Sequence, residues 1–128
     1  MMKSFIDLLD EANSEIKTIS VEDLKLILDN PQTLIIDVQS KDVVDNSGMI
    51  PNAIHANRGF LEFYADQRED NPFKKKKINN NKKIIVYCGA GGQGALATKT
   101  LQDMGFKDVS NLAGGSAAWL KAGNGLIK

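Results

Sequence analysis

The sequence predicts an α/β domain with a mainly parallel sheet, and three observations carry that expectation. Apolar, β-branched runs too short for helices stand at Leu34-Ile35-Ile36-Asp37-Val38 and Ile84-Ile85-Val86-Tyr87. Continuous apolarity over so few residues marks strands covered on both faces. Segments with helical spacing alternate with these runs. The second run leads into Cys88-Gly89-Ala90-Gly91-Gly92-Gln93-Gly94, a glycine-rich turn where open α/β folds bind ligands, beyond the carboxyl end of a strand.

Along the chain, Phe5, Ile6, Leu8, Leu9, Ala12 and Ile16 recur with helical spacing and predict an opening helix within residues 1–17. Ser20-Val21-Glu22-Asp23 has the form of a capping box, which starts a second helix over Val21 to Asp29, stopped by Pro31. A short helix is expected from Lys41 to Asp45, ended by the turn signal Asn46-Ser47-Gly48. Ile50-Pro51-Asn52-Ala53-Ile54 reads as a turn into a brief strand, and Gly59 to Ala65 as a helix. The polar stretch 66–83 is expected to be one exposed surface loop with no core of its own, and its run Lys74 to Lys77 to be solvated surface. The helix after Cys88 carries Ala95, Leu96, Ala97, Leu101 and Met104 and closes at Gly105. Val109 to Leu112 forms a last short strand. Gly114-Gly115 then turns the chain into a final helix with Ala117, Ala118, Trp119 and Leu120. There is no repeat and no sign of a second domain, so residues 1–128 are read as one domain with its core at about 18–123.

Composition narrows the function. Sixteen basic and sixteen acidic residues cancel, which argues against nucleic acid or an anionic membrane as the main partner. The longest apolar run is five residues, Ile84 to Cys88, far short of the ~20 that span a bilayer. The N-terminus meets Asp7 too early to hold the apolar core of a signal peptide, and a single cysteine forms no intramolecular disulfide. A cytoplasmic location fits best. No cluster of His, Cys and Asp has metal-ligand spacing, and no cofactor is expected.

Three chemistries compete for the glycine loop. Gly89-x-Gly91-x-x-Gly94 matches a dinucleotide fingerprint in letters, but the acidic residue expected ~20 positions on is missing among Asn111, Leu112, Ala113 and Gly114. A phosphate-binding P-loop needs lysine and a hydroxyl after the last glycine, where Ala95 and Leu96 stand. The third reading makes Cys88 the reactive atom. A thiolate is the nucleophile, and the positive end of the following helix together with a nest of backbone N–H groups favours the anion. Glycines permit that curl and leave the site uncovered.

Further markers share this order: Ile35-Ile36-Asp37-Val38, then Gly48-x-Ile50-Pro51-x-Ala53, the cysteine loop, and Asn111-Leu112-x-Gly114-Gly115 before Ala118-Trp119. From about Thr18 to Gly123 the chain resembles a rhodanese-type sulfurtransferase domain of the single-domain kind. The resemblance implies a central parallel sheet of about five strands with helices on both faces. It also implies a six-residue active loop, Cys88 to Gln93, that carries sulfur as a persulfide. A donor such as thiosulfate or a persulfide loads Cys88, and a thiol, cyanide or protein sulfur carrier unloads it. Catalysis falls to Cys88. Substrate binding falls to Gly89, Ala90, Gly91, Gly92, Gln93 and Gly94, with Arg58 as a side chain whose segment the resemblance places near the loop.

The chain also departs from that family. Gln39 stands where arginine commonly follows Asp-Val, and Gly89, Gln93 and Gly94 replace residues that are often cationic or hydroxylated. A phosphatase-type loop consists of cysteine, five residues and an arginine that grips the oxyanion, and Gly94 stands at the arginine position. A second function therefore stands beside sulfur transfer: a partner-binding or oxidant-sensing module whose exposed thiolate oxidises readily. His55, the only histidine, reads as a hydrogen-bonded structural residue, and Asp37 as an acceptor for the backbone of the next turn. Trp119 reads as core. Phe60, Phe63 and Tyr64 are read equally as a pocket wall or as plain packing.

Overall fold

The computed structural model covers residues 1–128 and has five parallel strands, β1 (Lys17–Ile19), β2 (Thr33–Asp37), β3 (Ala53–His55), β4 (Lys83–Tyr87) and β5 (Val109–Leu112), in the order β1-β5-β4-β2-β3. Six helices surround them: α1 (Phe5–Glu15), α2 (Val21–Ile27), α3 (Lys41–Ser47), α4 (Leu61–Ala65), α5 (Gly92–Asp103) and α6 (Gly115–Lys121). A 3₁₀ turn, Arg58–Phe60, leads into α4.

The two strong apolar runs are the two inner strands, β2 and β4, paired in register from Thr33 with Lys83 to Asp37 with Tyr87. Side chains alternate along a strand, so each run feeds two cores. Leu34, Ile36, Ile84, Val86 and Cys88 pack with Ala97 and Leu101 of α5 and with Leu61 and Ala65 of α4. Ile35, Ile85 and Tyr87 face the other way, onto Leu24 of α2 and Trp119 of α6. Both faces are covered, which is why neither run shows a polar alternation.

The termini of the helices follow the capping residues. Ser4 and Asp7 form a reciprocal capping box at α1, and the Ser20 hydroxyl accepts the Asp23 N–H at α2 without the return bond. Gly105 and Gly123 adopt positive φ just past α5 and α6.

One element had no sequence signal, and one expectation needs correction. The three residues of β1 extend the sheet at its edge, although their exposed-exposed-intermediate pattern carries no strand signal. The stretch 66–83 does contribute to the core: Ile78 is fully buried in the α4–α5 layer. The segment is also tied down by its own amides. Gln67 donates to the Ala65 and Ile78 carbonyls, and Asn71 donates to those of Phe63 and Asp66.

Ile78→Ala is therefore expected to lower unfolding stability by about 2–5 kcal/mol in a denaturant titration. Lys76→Ala, two residues earlier and exposed, is expected to stay within about 0.5 kcal/mol of the parent protein.

Candidate active site

Cys88 follows the last residue of β4, the middle strand of the sheet, so its backbone is fixed by neighbours on both sides. Its residue is only 4% exposed. Cys88 is thus buried, not exposed as an oxidant sensor's cysteine was expected to be. The chain then reverses through Gly91, whose φ of 112° is left-handed and suits glycine. This reversal carries the Gly91 N–H back to the sulfur, which accepts it at 3.0 Å. Gly91 is also the N-cap of α5, so the helix axis begins beside Cys88, with the unsatisfied N–H groups of its first turn at that end. Gly92 and Gln93 already belong to the helix.

The loop is held by contacts that leave no room for a side chain at Gly94 or at Gly115. The N–H groups of Ser116 and Ala117 at the start of α6 donate to the Cys88 and Gly89 carbonyls at 2.8 and 2.9 Å. A Cβ on Gly115 would lie 2.3 Å from the Cys88 carbonyl oxygen, at a φ of +60°. Asn111 on β5 donates through Nδ2 to the Gly91 carbonyl at 3.1 Å. Its Oδ1 is buried without a hydrogen-bond partner and lies 2.3 Å from where a Gly94 Cβ would stand. Asn111 thus fills the slot beneath Gly94, and an arginine or a hydroxyl residue there has no space.

The side chains named from the sequence divide accordingly. Gly89, Gly91, Gly92 and Gly94 shape the loop, while Ala90 and Gln93 are exposed on it. Gln93 and Arg58 line one small pocket of about 230 Å³, together with Val38, Ser40, Lys41, Asn57 and Gly59. The Arg58 guanidinium is already engaged there, donating to Glu62 at 3.1 Å and to the Thr100 hydroxyl at 2.9 Å.

Gln39, in place of arginine, folds back on Asp37: its backbone N–H donates to Oδ1 at 2.8 Å and its Nε2 lies 3.2 Å from each carboxylate oxygen. Its Oε1 lies 3.2 Å from the position of a Gly89 Cβ, so the two departures from the family pattern face one another. His55 Nε2 sits 2.7 Å from the Gln39 carbonyl oxygen, on the flank of the loop. Asp37 is fully buried, and beside it the buried Tyr87 phenol is held well above its usual pKa, first by burial and then by the Asp37 charge. The phenol oxygen accepts the Ile50 N–H at 3.0 Å. Asp37 and His55 are therefore knitted into the scaffold. Phe60 stacks on Phe63 at 4.4 Å and meets Tyr64 and Phe73 edge-on, while Tyr64 also packs on the core and lines a neighbouring groove. No three His, Cys, Asp or Glu side chains converge as metal ligands, and no helix is long and apolar enough to cross a membrane.

Residues 20–122 match the model of the rhodanese-like domain. The chain belongs to the rhodanese-like domain family. The Bacillus subtilis protein YtwF, which carries the name of a sulfurtransferase, is 34% identical over 106 residues, covering 82% of this chain and 91% of its own. Among solved structures, a Rhodopseudomonas palustris protein of unknown function described as a possible tyrosine phosphatase superposes with a TM-score of 0.90 at 34% identity, over 99% and 96% of the two chains. A human single-domain sulfurtransferase superposes at 0.68 with 26% identity, over 81% and 95%. The rhodanese fold is thus shared in full, and the parallel sheet with helices on both faces is its common frame.

The role of Asn111 was invisible in the sequence beyond its place in the marker Asn111-Leu112, because its contact with Gly94 crosses from one strand to the neighbouring helix. Gly94→Ala is expected to cost about 1–3 kcal/mol of stability through overpacking. In an Asn111→Ala background the same change is expected to cost less, since its steric partner is gone; a double-mutant cycle of chemical denaturation reads the coupling, and strict additivity would contradict it.

Proposed function

We propose that this rhodanese domain is a sulfurtransferase in which Cys88 carries a sulfane sulfur from a donor, thiosulfate or a persulfide, to a thiol or cyanide acceptor. One observation carries the reading: the only cysteine of the chain stands at the sheet's carboxyl edge with the Gly91 N–H directed at its sulfur.

The balance of the reaction is simple. The Cys88 thiolate attacks the outer sulfur of thiosulfate, a new sulfur–sulfur bond forms, and the bond to the sulfite sulfur breaks with its electron pair leaving on sulfite. An acceptor thiolate or cyanide then attacks the outer sulfur of the persulfide, and the electron pair of that bond returns to Cys88. No outside oxidant or reductant is consumed. Splitting the transfer into two displacements is covalent catalysis. The protein's own part is positional: backbone N–H groups at the head of α5 favour negative charge on the reacting sulfur atoms.

Side-chain charge plays little part at the sulfur itself, because the loop carries none. Phosphate-ester chemistry is disfavoured on the same geometry, since Asn111 occupies the space that a guanidinium at position 94 would need. The burial of Cys88 favours a second reading, a partner-binding module without turnover, and one experiment separates the two. Incubation with thiosulfate followed by intact-protein mass spectrometry is expected to show a gain of about 32 Da, one sulfur atom, that is located on Cys88, is removed by a thiol acceptor and is absent in Cys88→Ser. A wild-type protein that takes up no sulfur from thiosulfate or from a persulfide donor would instead support the binding module.

A further inference from the structure

The lysine run that reads in the sequence as plain solvated surface does not point evenly into solvent. Lys75, Lys76 and Lys77 line a groove of about 670 Å³ together with Lys41, Ile54, His55, Asn57 and Tyr64. No carboxylate lines it. None of the three consecutive lysines has an acidic partner within ion-pair distance, whereas Lys41 is paired with Asp45. In a chain whose formal charge sums to zero, this is a local concentration of uncompensated positive charge.

The groove is also fixed in place. The Lys75 N–H donates to the Tyr64 carbonyl at 3.0 Å, and its ammonium lies 4.6 Å from the centre of the Tyr64 ring. Ile78, next in the chain, is anchored in the core. The lysine segment is therefore a wall with a defined position.

Lys41 and Asn57 belong at once to this groove and to the small pocket lined by Arg58 and Gln93. The cationic groove thus adjoins the pocket that Gln93 of the active loop borders. Its volume lies in the range of small-molecule sites, and at about 30 Å³ per water molecule it admits a ligand several times the size of thiosulfate. Ammonium groups on flexible stems suit clustered anionic oxygens, which they meet as point charges.

We infer that the groove binds the anionic body of a small sulfur-bearing substrate, a thiol acceptor or persulfide donor carrying several phosphate or carboxylate groups, and directs its sulfur through the Arg58–Gln93 pocket toward Cys88. The inference rests on the sulfur-transfer reading for its purpose but not for its binding chemistry. It places the positive charge missing from the loop at Gly89, Gln93 and Gly94 on a neighbouring wall, where it selects by the size and charge of the substrate.

The test separates the two. Inorganic triphosphate and citrate are titrated calorimetrically, in separate arms, into the full-length Cys88→Ser protein, in which no transfer takes place. Binding of either anion is expected, weakening as salt rises, and the arm that binds more tightly tells phosphate from carboxylate preference. Two variants are compared: Lys75→Ala/Lys76→Ala/Lys77→Ala, and Lys76→Glu/Lys77→Glu, which leaves the Lys75–Tyr64 contact intact. Each is expected to weaken binding about tenfold or more. In the Cys88 protein, the same variants are expected to lower kcat/KM for a multiply anionic thiol acceptor while leaving a neutral thiol unchanged. The inference is overturned if neither anion binds, if the variants bind as well as the parent, or if neutral and anionic thiols lose equally. None of those results affects sulfur uptake on Cys88, which fails or succeeds on its own mass-spectrometric evidence.

Discussion

The site depends on one close approach between two stretches of backbone. Where α6 begins, the chain at Gly114-Gly115 comes up against the Cys88 and Gly89 carbonyls, and the N–H groups of Ser116 and Ala117 satisfy them. A carbonyl at a strand end would otherwise face the interior without a partner, at a cost of about 1–3 kcal/mol. The contact ties the β4–α5 connection to the β5–α6 connection, so the two loops at the carboxyl edge of the sheet hold each other's shape. Neither could do so with a side chain at position 115. The glycine pair is thus a condition for the loop's geometry, within which the reversal at Gly91 turns its N–H toward sulfur.

On this frame, charge is distributed in an unusual way. The atoms nearest the sulfur are neutral backbone groups, and the buried ionisable residue at the same sheet edge, Asp37, is absorbed by Gln39 and the backbone. Arg58 reaches the neighbouring pocket with its guanidinium already shared between Glu62 and Thr100. The free cations stand farther out, on the wall formed by Lys75 to Lys77. Backbone dipoles act within about a helical turn, whereas a lysine cluster acts over roughly a Debye length, about 8–10 Å at ordinary salt. The first arrangement suits stabilising a reacting atom. The second suits choosing which molecule arrives.

The sequence disclosed those parts of the fold that are enforced locally or on both faces at once. β2 and β4 were legible because two layers cover them and leave no polar position, and the glycine loop because positive φ at Gly91 and the strand-to-helix turn narrow the residue choice. β1 was not, since three edge residues, two of them exposed, gain their pairing only from β5. Ile78 was hidden as one apolar residue in a polar stretch, and only the long-range layer of α4 and α5 gives it a core to enter. The same holds for the site. The place of Cys88 between a strand and a glycine turn could be read in the sequence, but the fit of Asn111 under Gly94 and the convergence of the lysines with Tyr64 and His55 are tertiary facts, made between segments tens of residues apart. Departures from a family pattern were visible at Gln39 and Gly89, yet that they face one another was not.

The account stands on Cys88 holding the sulfur between two separate displacements. Initial rates measured while the concentrations of thiosulfate and a thiol acceptor are both varied test this most directly. A covalent intermediate gives parallel double-reciprocal lines, because donor product leaves before acceptor binds, and that is the expected result. Lines that converge, with turnover that survives Cys88→Ser, would show direct transfer between bound substrates and contradict the account.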